Sequence, residues 1–323
     1  MNELRKLSRD LCNGTVSEFS VSEANDKLRN YIVEVCGGKF TPNTFRKHQY
    51  EIYELMSELL TDVTLKLSRE TFEPIAEFKD TDFGDKIEFI VENPDLFEVS
   101  VIASGTNDLM RQKLMNGRVP TVSFDLGVKI YNEFTDFVTG RIDWDKCVEK
   151  VGQSFNHKLA EIIGKEWNKA YSSIDSNLKV TGTFDEAKLI TLVQKVASYS
   201  PTGKAVVYGA KTALARIPDR QYSDADAKDK REQGFLSLYN GVKCVELQNP
   251  YDLDTNTWAL EEDVLFILPE GVKPIMMGFE GDAFVDEDKS GSRLDRQIEH
   301  LMTRKVHLGV LKSRIFGVYD YSS

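Results

Sequence analysis

An α+β fold is predicted, on three observations. Amphipathic helices precede any strand, the hydrophobic period changes from helical to alternating between residues 83 and 131, and one long apolar stripe marks a helix over residues 142–171. Beyond that helix, helical and strand-like segments interleave to the end of the chain. With 323 residues and 41% hydrophobic content, the chain buries a large core and is long enough for more than one domain.

The first element is "SVSEANDKLRNYIVEVCGG": Ser20 and Glu23 make a capping box, and Ala24, Leu28, Tyr31, Ile32 and Val35 share a face before Gly37-Gly38 ends the helix. Thr41 and Pro42 then open a second helix, predicted to run to about Leu60 with Phe45, Ile52, Leu55, Met56 and Leu59 on one side. Three strands follow, each with one wet face. Ile87, Phe89 and Val91 alternate with Lys86, Glu88 and Glu92; Phe97, Val99 and Val101 with Glu98 and Ser100; Val122, Phe124, Leu126, Val128 and Ile130 with Thr121, Ser123, Asp125 and Lys129. Between the second and third lies "ASGTNDLMRQKLMNGRVP", a polar stretch with Gly105, Gly117 and Pro120 that reads as a long connection. Connections beyond ~12–15 residues without regular structure usually carry function or form an extended arm. An arm has no core of its own, so it implies a partner.

The helix over 142–171 is the strongest pattern. Trp144, Val148, Val151, Phe155, Leu159 and Ile162 step by three or four residues along a rod of about 45 Å, longer than one small domain needs. His157, Glu161 and Glu166 lie on it with no second ligand or nucleophile at catalytic spacing, and read as its solvated face. Then come a helix "DEAKLITLVQKVASY" capped by Thr183 and Glu186, a strand "KAVVYG", a helix "KTALARI", and a charged segment leading into "GFLSLYNGVKCVEL". "DVLFILPEGVKP" is a buried strand ending in a turn, and "KVHLGVLKSRIFGVYD" closes the chain with strand-like alternation.

Two motifs imitate nucleotide chemistry and fail, one on spacing and one for want of its companion motifs. A phosphate-binding loop ending in Lys211-Thr212 needs glycine where Ala205 and Ala210 stand, and one ending at Lys204 meets Ser198 and Ala205. Asp82-Phe83-Gly84 matches the magnesium triplet of kinases, but no histidine is followed by Arg-Asp, so Asp82 and Gly84 read as turn formers. Cys12, Cys36, Cys147 and Cys244 form no C-x-x-C pair and are expected to be reduced and mostly buried, with no metal. A net charge of -11 argues against a surface that grips nucleic acid, because that affinity rests on basic groups neutralising phosphates. No segment reaches the ~18 apolar residues of a membrane span, and the first residues do not resemble a signal peptide, so a cytoplasmic start is expected.

The order of elements resembles the major capsid protein of tailed bacteriophages over nearly the whole chain. The pieces that carry the resemblance are "AVVYGAKTALARI", "GFLSLYNGVKCVEL", "DVLFILPEGVKPIM" and "GVLKSRIFGVYD". It implies an N-terminal arm with helices over 1–70, an extended β-hairpin loop over 71–120, a peripheral domain with a spine helix over 121–177 plus 291–323, and an axial domain over 178–290. Gly209 then serves a turn and Lys211 a helix start. The resemblance implies assembly rather than catalysis, with no catalytic, cofactor or metal site. Many copies, as hexamers and pentamers, would form an icosahedral shell that encloses double-stranded DNA without sequence-specific binding. Scaffolding, portal and decoration proteins are further partners, the host cytoplasm the place of assembly, and the virion the destination. Arg111, Lys113 and Arg118, basic groups in the loop of an acidic chain, are the expected contacts to a neighbouring subunit. Lys79, Lys86 and Lys113 are present in the loop, but no asparagine is matched for the covalent crosslink some relatives make. Because the chain starts at Met1, an uncleaved subunit is the expectation. Three other readings stand beside this one: a bacterial nanocompartment shell enclosing proteins, favoured by a genome without terminase and portal genes; an acidic cytosolic α/β enzyme, favoured by turnover in a monomer; and a phage-decoration or adaptor protein, disfavoured because those are usually shorter and lack the long helix with its extended loop.

Overall fold

The computed structural model describes residues 30, 33–38, 41–85, 87–92, 111, 115–119, 121–133, 144–171, 174, 176–200, 202–218, 224–252, 255–287, 297–311 and 316–321. Of the helix expected from Ser20, the end is described: Gly37 and Gly38, with φ of 78° and 81°, donate to the carbonyls of Glu34 and Val33. Glycine tolerates this left-handed backbone, so the pair stops the helix where expected. Helix α1 spans Pro42–Phe72, started by a capping box between Thr41 and Thr44. It runs past the expected end at Leu60. Thr61 and Thr64, which lower helix propensity, donate their hydroxyls to the carbonyls of Ser57 and Leu60 at 2.8 and 2.7 Å, and Val63 and Phe72 keep the buried stripe going.

Helix α2, Trp144–Tyr171, is 28 residues and about 42 Å long. Val148, Val151, Phe155 and Leu159 are buried as expected, and the stripe continues in steps of four through Ile163, Trp167 and Tyr171. The two helices pack together where α2 carries Gly152, at which a Cβ would lie 2.6 Å from Val63 Cγ1.

Two sheets flank this pair. Strands β1 (Ala76–Thr81), β12 (Ile275–Glu287), β13 (Gln297–Val310) and β4 (Val122–Glu133) form a four-stranded sheet in that order. Strands β5 (Lys179–Thr181), β14 (Gly317–Asp320), β11 (Val264–Pro269), β6 (Ala205–Gly209), β8 (Val242–Glu246) and β7 (Leu238–Tyr239) form a six-stranded one. The larger core joins α1, α2, the four-stranded sheet and one face of the six-stranded sheet. On the other face lie helices α3 (Glu186–Ser198) and α4 (Lys211–Ala215) with a second core. Strand β11 serves both: Val264, Phe266 and Leu268 enter the first core, Leu265 and Ile267 the second. A strand covered on two faces reads as the unbroken apolar run seen in the sequence.

Several expectations are corrected. Residues 115–119, read as part of a connection, form strand β3 (Met115–Val119), which pairs antiparallel with β2 (Phe89–Glu92). The strand expected around Phe97, Val99 and Val101 lies outside the described residues. Helix α3 is capped by Asp185, whose carboxylate accepts from the N–H groups of Ala187 and Lys188, and not by Thr183 with Glu186. "KTALARI" is helical over five residues only. Strand β12 is absent from the sequence reading, because Gly278, Gly281 and the acids between Glu280 and Asp282 interrupt its alternation. The expected boundary at 290 separates β12 from β13, which are hydrogen-bonded neighbours, and β14 lies in the six-stranded sheet instead of with 291–311.

The break in β12 is a bulge. Glu280 pairs with Lys305 but Phe284 with Thr303, so the register shifts between them, and Gly281 takes a φ of 66°. The freed backbone groups find partners nearby. The Ala283 N–H donates to Thr61 Oγ1 at 2.8 Å, the Ala283 carbonyl accepts from the Ser57 hydroxyl, and the Gly281 carbonyl accepts from the Arg304 guanidinium.

Candidate assembly surface

After β1 the chain turns at Asp82–Asp85, where Gly84 has a φ of 91° and the Asp85 N–H donates to the Asp82 carbonyl at 3.2 Å. Asp82 and Gly84 therefore form a turn, as the failed kinase motif implies. The chain then recrosses the four-stranded sheet on the face away from α1. Ile87 and Phe89 bury themselves against Met276, and Gly278 leaves them room, since a Cβ there would meet Ile87 Cδ1 at 2.6 Å. Beyond this seat, the β2–β3 ribbon begins with Phe89 opposite Val119 and Ile90 opposite Arg118.

An ionic clamp fixes the same turn. The Glu280 side chain, 5% exposed, accepts from the Gly84 N–H at 3.1 Å, from Lys305 Nζ at 2.9 Å, and lies 2.7 Å from His307 Nε2. The hydrogen bonds from Lys305 and then His307 outweigh burial and hold the Glu280 carboxyl at about 2. Lys305 Nζ also sits 5.8 Å from the centre of the exposed Phe83 ring, and a Cβ on Gly281 would touch Phe83 at 3.0 Å. The bulge thus sets both the acid and the space for the turn. The sequence reading misses Glu280, Lys305 and His307. An acid directly after the apolar run "IMMGF" and the alternating cations of "RKVHLG" are the available signals.

Arg111 is exposed, Arg118 stands in β3 with its side chain outside the described residues, and Lys113 lies outside them altogether. Of the loop lysines, Lys79 donates to the Glu88 carbonyl at 3.1 Å and Lys86 lies outside the described residues. On α2, His157 is exposed as expected, but Glu161 is not part of a solvated face. It is 7% exposed and bridges Lys158 at 2.6 Å and Lys165 at 2.5 Å, which holds its carboxyl below the ordinary range. Lys165 also reaches Asp252 at 3.8 Å, linking α2 to the β9–β10 ribbon (Tyr251–Asp252 and Thr257–Trp258).

Gly209 ends β6 without a positive φ, so it is not there for a turn. A Cβ on it would lie 2.9 Å from Leu265 Cδ2, which makes it a close-packing residue between β6 and β11. Lys211 does start a helix. Cys36 and Cys244 are free and buried, Cys147 is free and half-buried, and burial pushes the Cys244 thiol up to about 12. Cys12 lies outside the described residues. Among the described residues no three His, Cys, Asp or Glu side chains gather to hold a metal, and no helix is long and apolar enough to cross a membrane.

A two-stranded ribbon rooted on a sheet, a long helix shared by two sheets and an α/β layer beyond it define the major capsid fold of tailed phages. The solved capsid of a native GTA particle has this fold, with a TM-score of 0.54 and 11% identity over 80% of this chain and 91% of that one. The model of the family described as "SPbeta prophage-derived putative capsid protein YonB" matches residues 3–320, and the chain belongs to that family. It is thus a capsid protein, with a structural, shell-forming role. A chain from Mycobacterium phage Adephagia is similar at 14% identity over 81% of this chain and 90% of that one, with a TM-score of 0.47. A virus-like particle from Pyrococcus furiosus is similar at 12% identity over 81% and 98%, also with a TM-score of 0.47. No curated protein sequence matches.

Proposed function

We propose that the chain is the major capsid protein of a tailed phage or prophage, and that its copies close as hexamers and pentamers into an icosahedral shell around double-stranded DNA. The observation that carries this reading is the capsid-family match over residues 3–320 of a chain whose fold is that of the major capsid proteins. The net charge of -11 supports it, since a wall that does not bind phosphate leaves packed DNA free to enter and leave. Each contact between copies is weak, and the shell is stable because every subunit is held by several neighbours at once. Assembly takes place in the host cytoplasm and the product is the virion, with scaffolding, portal and decoration proteins as further partners. The role is assembly, not catalysis.

Within the subunit, the peripheral region is the four-stranded sheet with α2, and the axial region is the six-stranded sheet with α3 and α4; because α1 and β1, expected in the arm and the loop, are built into the subunit itself, the arm is the chain before α1 and the loop is the β2–β3 ribbon with the residues between its strands. Arg111, Lys113 and Arg118 face carboxylates on the adjoining copy. Negative-stain microscopy of the purified protein, with light scattering across salt and concentration, tests the proposal. Closed or polymorphic particles are expected; a monomer or dimer under every condition would overturn it.

A further inference from the structure

We infer that the free edge of β4 is a contact between two copies of this chain, which pair their β4 strands antiparallel across a twofold axis at Gly127. The inference rests on the shell-forming reading and names one of its interfaces. Strand β4 is 12 residues long and pairs with β13 along one edge; among the described residues no strand lies along the other. A long edge with open backbone donors and acceptors is a template for another strand, and proteins often block it with a proline, a bulge or a charged side chain. β4 has no proline and no bulge, and its charges, Asp125 and Lys129, are ones that a second copy of the same edge can match.

The sequence of the edge is self-complementary. In "SFDLGVKIY", residues 123–131, an antiparallel pair centred on Gly127 sets Ser123 opposite Tyr131, Phe124 opposite Ile130, Asp125 opposite Lys129 and Leu126 opposite Val128 of the second copy. The same surface meets itself, as a twofold contact requires. Asp125 and Lys129 are exposed on one face, while Phe124, Val128 and Ile130 are half-buried on the other, so each face matches like with like in polarity and opposite in charge. Lys129 reaches Glu299 of its own chain at 2.5 Å, and its side chain stays 46% exposed, on the face where Asp125 of the partner copy would stand. The charges also fix the register. A slip of four residues sets Asp125 against Asp125 or Lys129 against Lys129, and a parallel in-register pair does both. Val122 and Tyr131, 69% and 64% exposed near the ends of the strand, gain cover in the same contact.

Cross-linking tests it. Gly127→Cys is sterically mild, since its Cβ would meet Thr303 Cγ2 at 3.4 Å, an ordinary contact. Shells of this variant treated with a short bismaleimide should give a dimer of the 36.7 kDa chain that wild-type shells do not give. Should Gly127→Cys disturb folding, Ser123→Cys and Tyr131→Cys, both at exposed positions, replace it: shells mixed from the two variants should cross-link, and shells of either alone should not. Normal shells without the dimer, or Ser123→Cys cross-linking to itself as well as to Tyr131→Cys, would overturn the inference. If wild-type chains form no shells, the shell reading falls by itself, and the same cross-linking of the concentrated soluble chain decides the edge contact separately.

Discussion

Glu280 shows how much one side chain can decide when its surroundings are arranged for it. Its carboxylate has three donors, from Gly84, Lys305 and His307, and the bulge at Gly281 brings it to them. With the carboxyl held at about 2, below the usual ~4.3, the unfolded chain binds the proton first as pH falls. The stabilisation is therefore complete above the ordinary carboxylate range and is lost as pH drops toward the folded value. Glu280→Gln keeps the volume and removes the charge. Thermal melts should show the variant less stable than wild type at neutral pH, with the gap narrowing steadily in acid. An equal gap at all pH values would mean that packing alone, and not the charge, holds the turn.

At the scale of elements, the α1–α2 pair is the beam on which both sheets hang, and its weakest tolerance is at Gly152. With Val63 Cγ1 at 2.6 Å from a would-be Cβ, Gly152→Val must push the helices apart. Overpacking of this kind costs about 1–3 kcal/mol, to be read from chemical denaturation. Leu60→Ala, at a fully buried position on α1, should cost about 2–5 kcal/mol through the cavity it leaves. If Gly152→Val is neutral, the two helices are not in the close contact described. The start of α1 at Thr41-Pro42, the stripe of α2 and the buried strand β11 were all legible in the chain, because each carries its own period or cap. The end of α1, strand β3 and strand β12 were not. Their stop signals, Gly117 and Gly281 among them, are compensated by neighbours that local pattern does not reveal.

For the whole molecule, the loop and the sheet edge are the contacts proposed between copies. Arg111 is exposed, and with Lys113 it belongs to a basic segment in a chain of net charge -11. Arg111→Glu with Lys113→Glu should lower the yield of shells severely while leaving the melting temperature of unassembled subunits nearly unchanged, since charged loop side chains contribute little to a core. Shell counts by microscopy and subunit melts read the two effects separately. Normal shells from the double variant would remove these residues from the contact, and a large loss of subunit stability would place them in the core.

The capsid class, the helix-first order and the long apolar rod were determined by the sequence itself, because element order, caps and hydrophobic period are local properties that survive without knowledge of neighbours. The two nucleotide decoys fail in the sequence itself for the same reason, one on spacing and one on a missing companion motif. Only the tertiary structure decided that residues 275–287 are a strand, that β14 crosses to the six-stranded sheet, and that Glu280, Lys305 and His307 meet at the turn of Gly84. Nearly two hundred residues separate Gly84 from Glu280 in the chain, and a bulge satisfied by Ser57, Thr61 and Arg304 sets their approach. Contacts of that range depend on sheet register, and register is fixed by the packing of the whole fold.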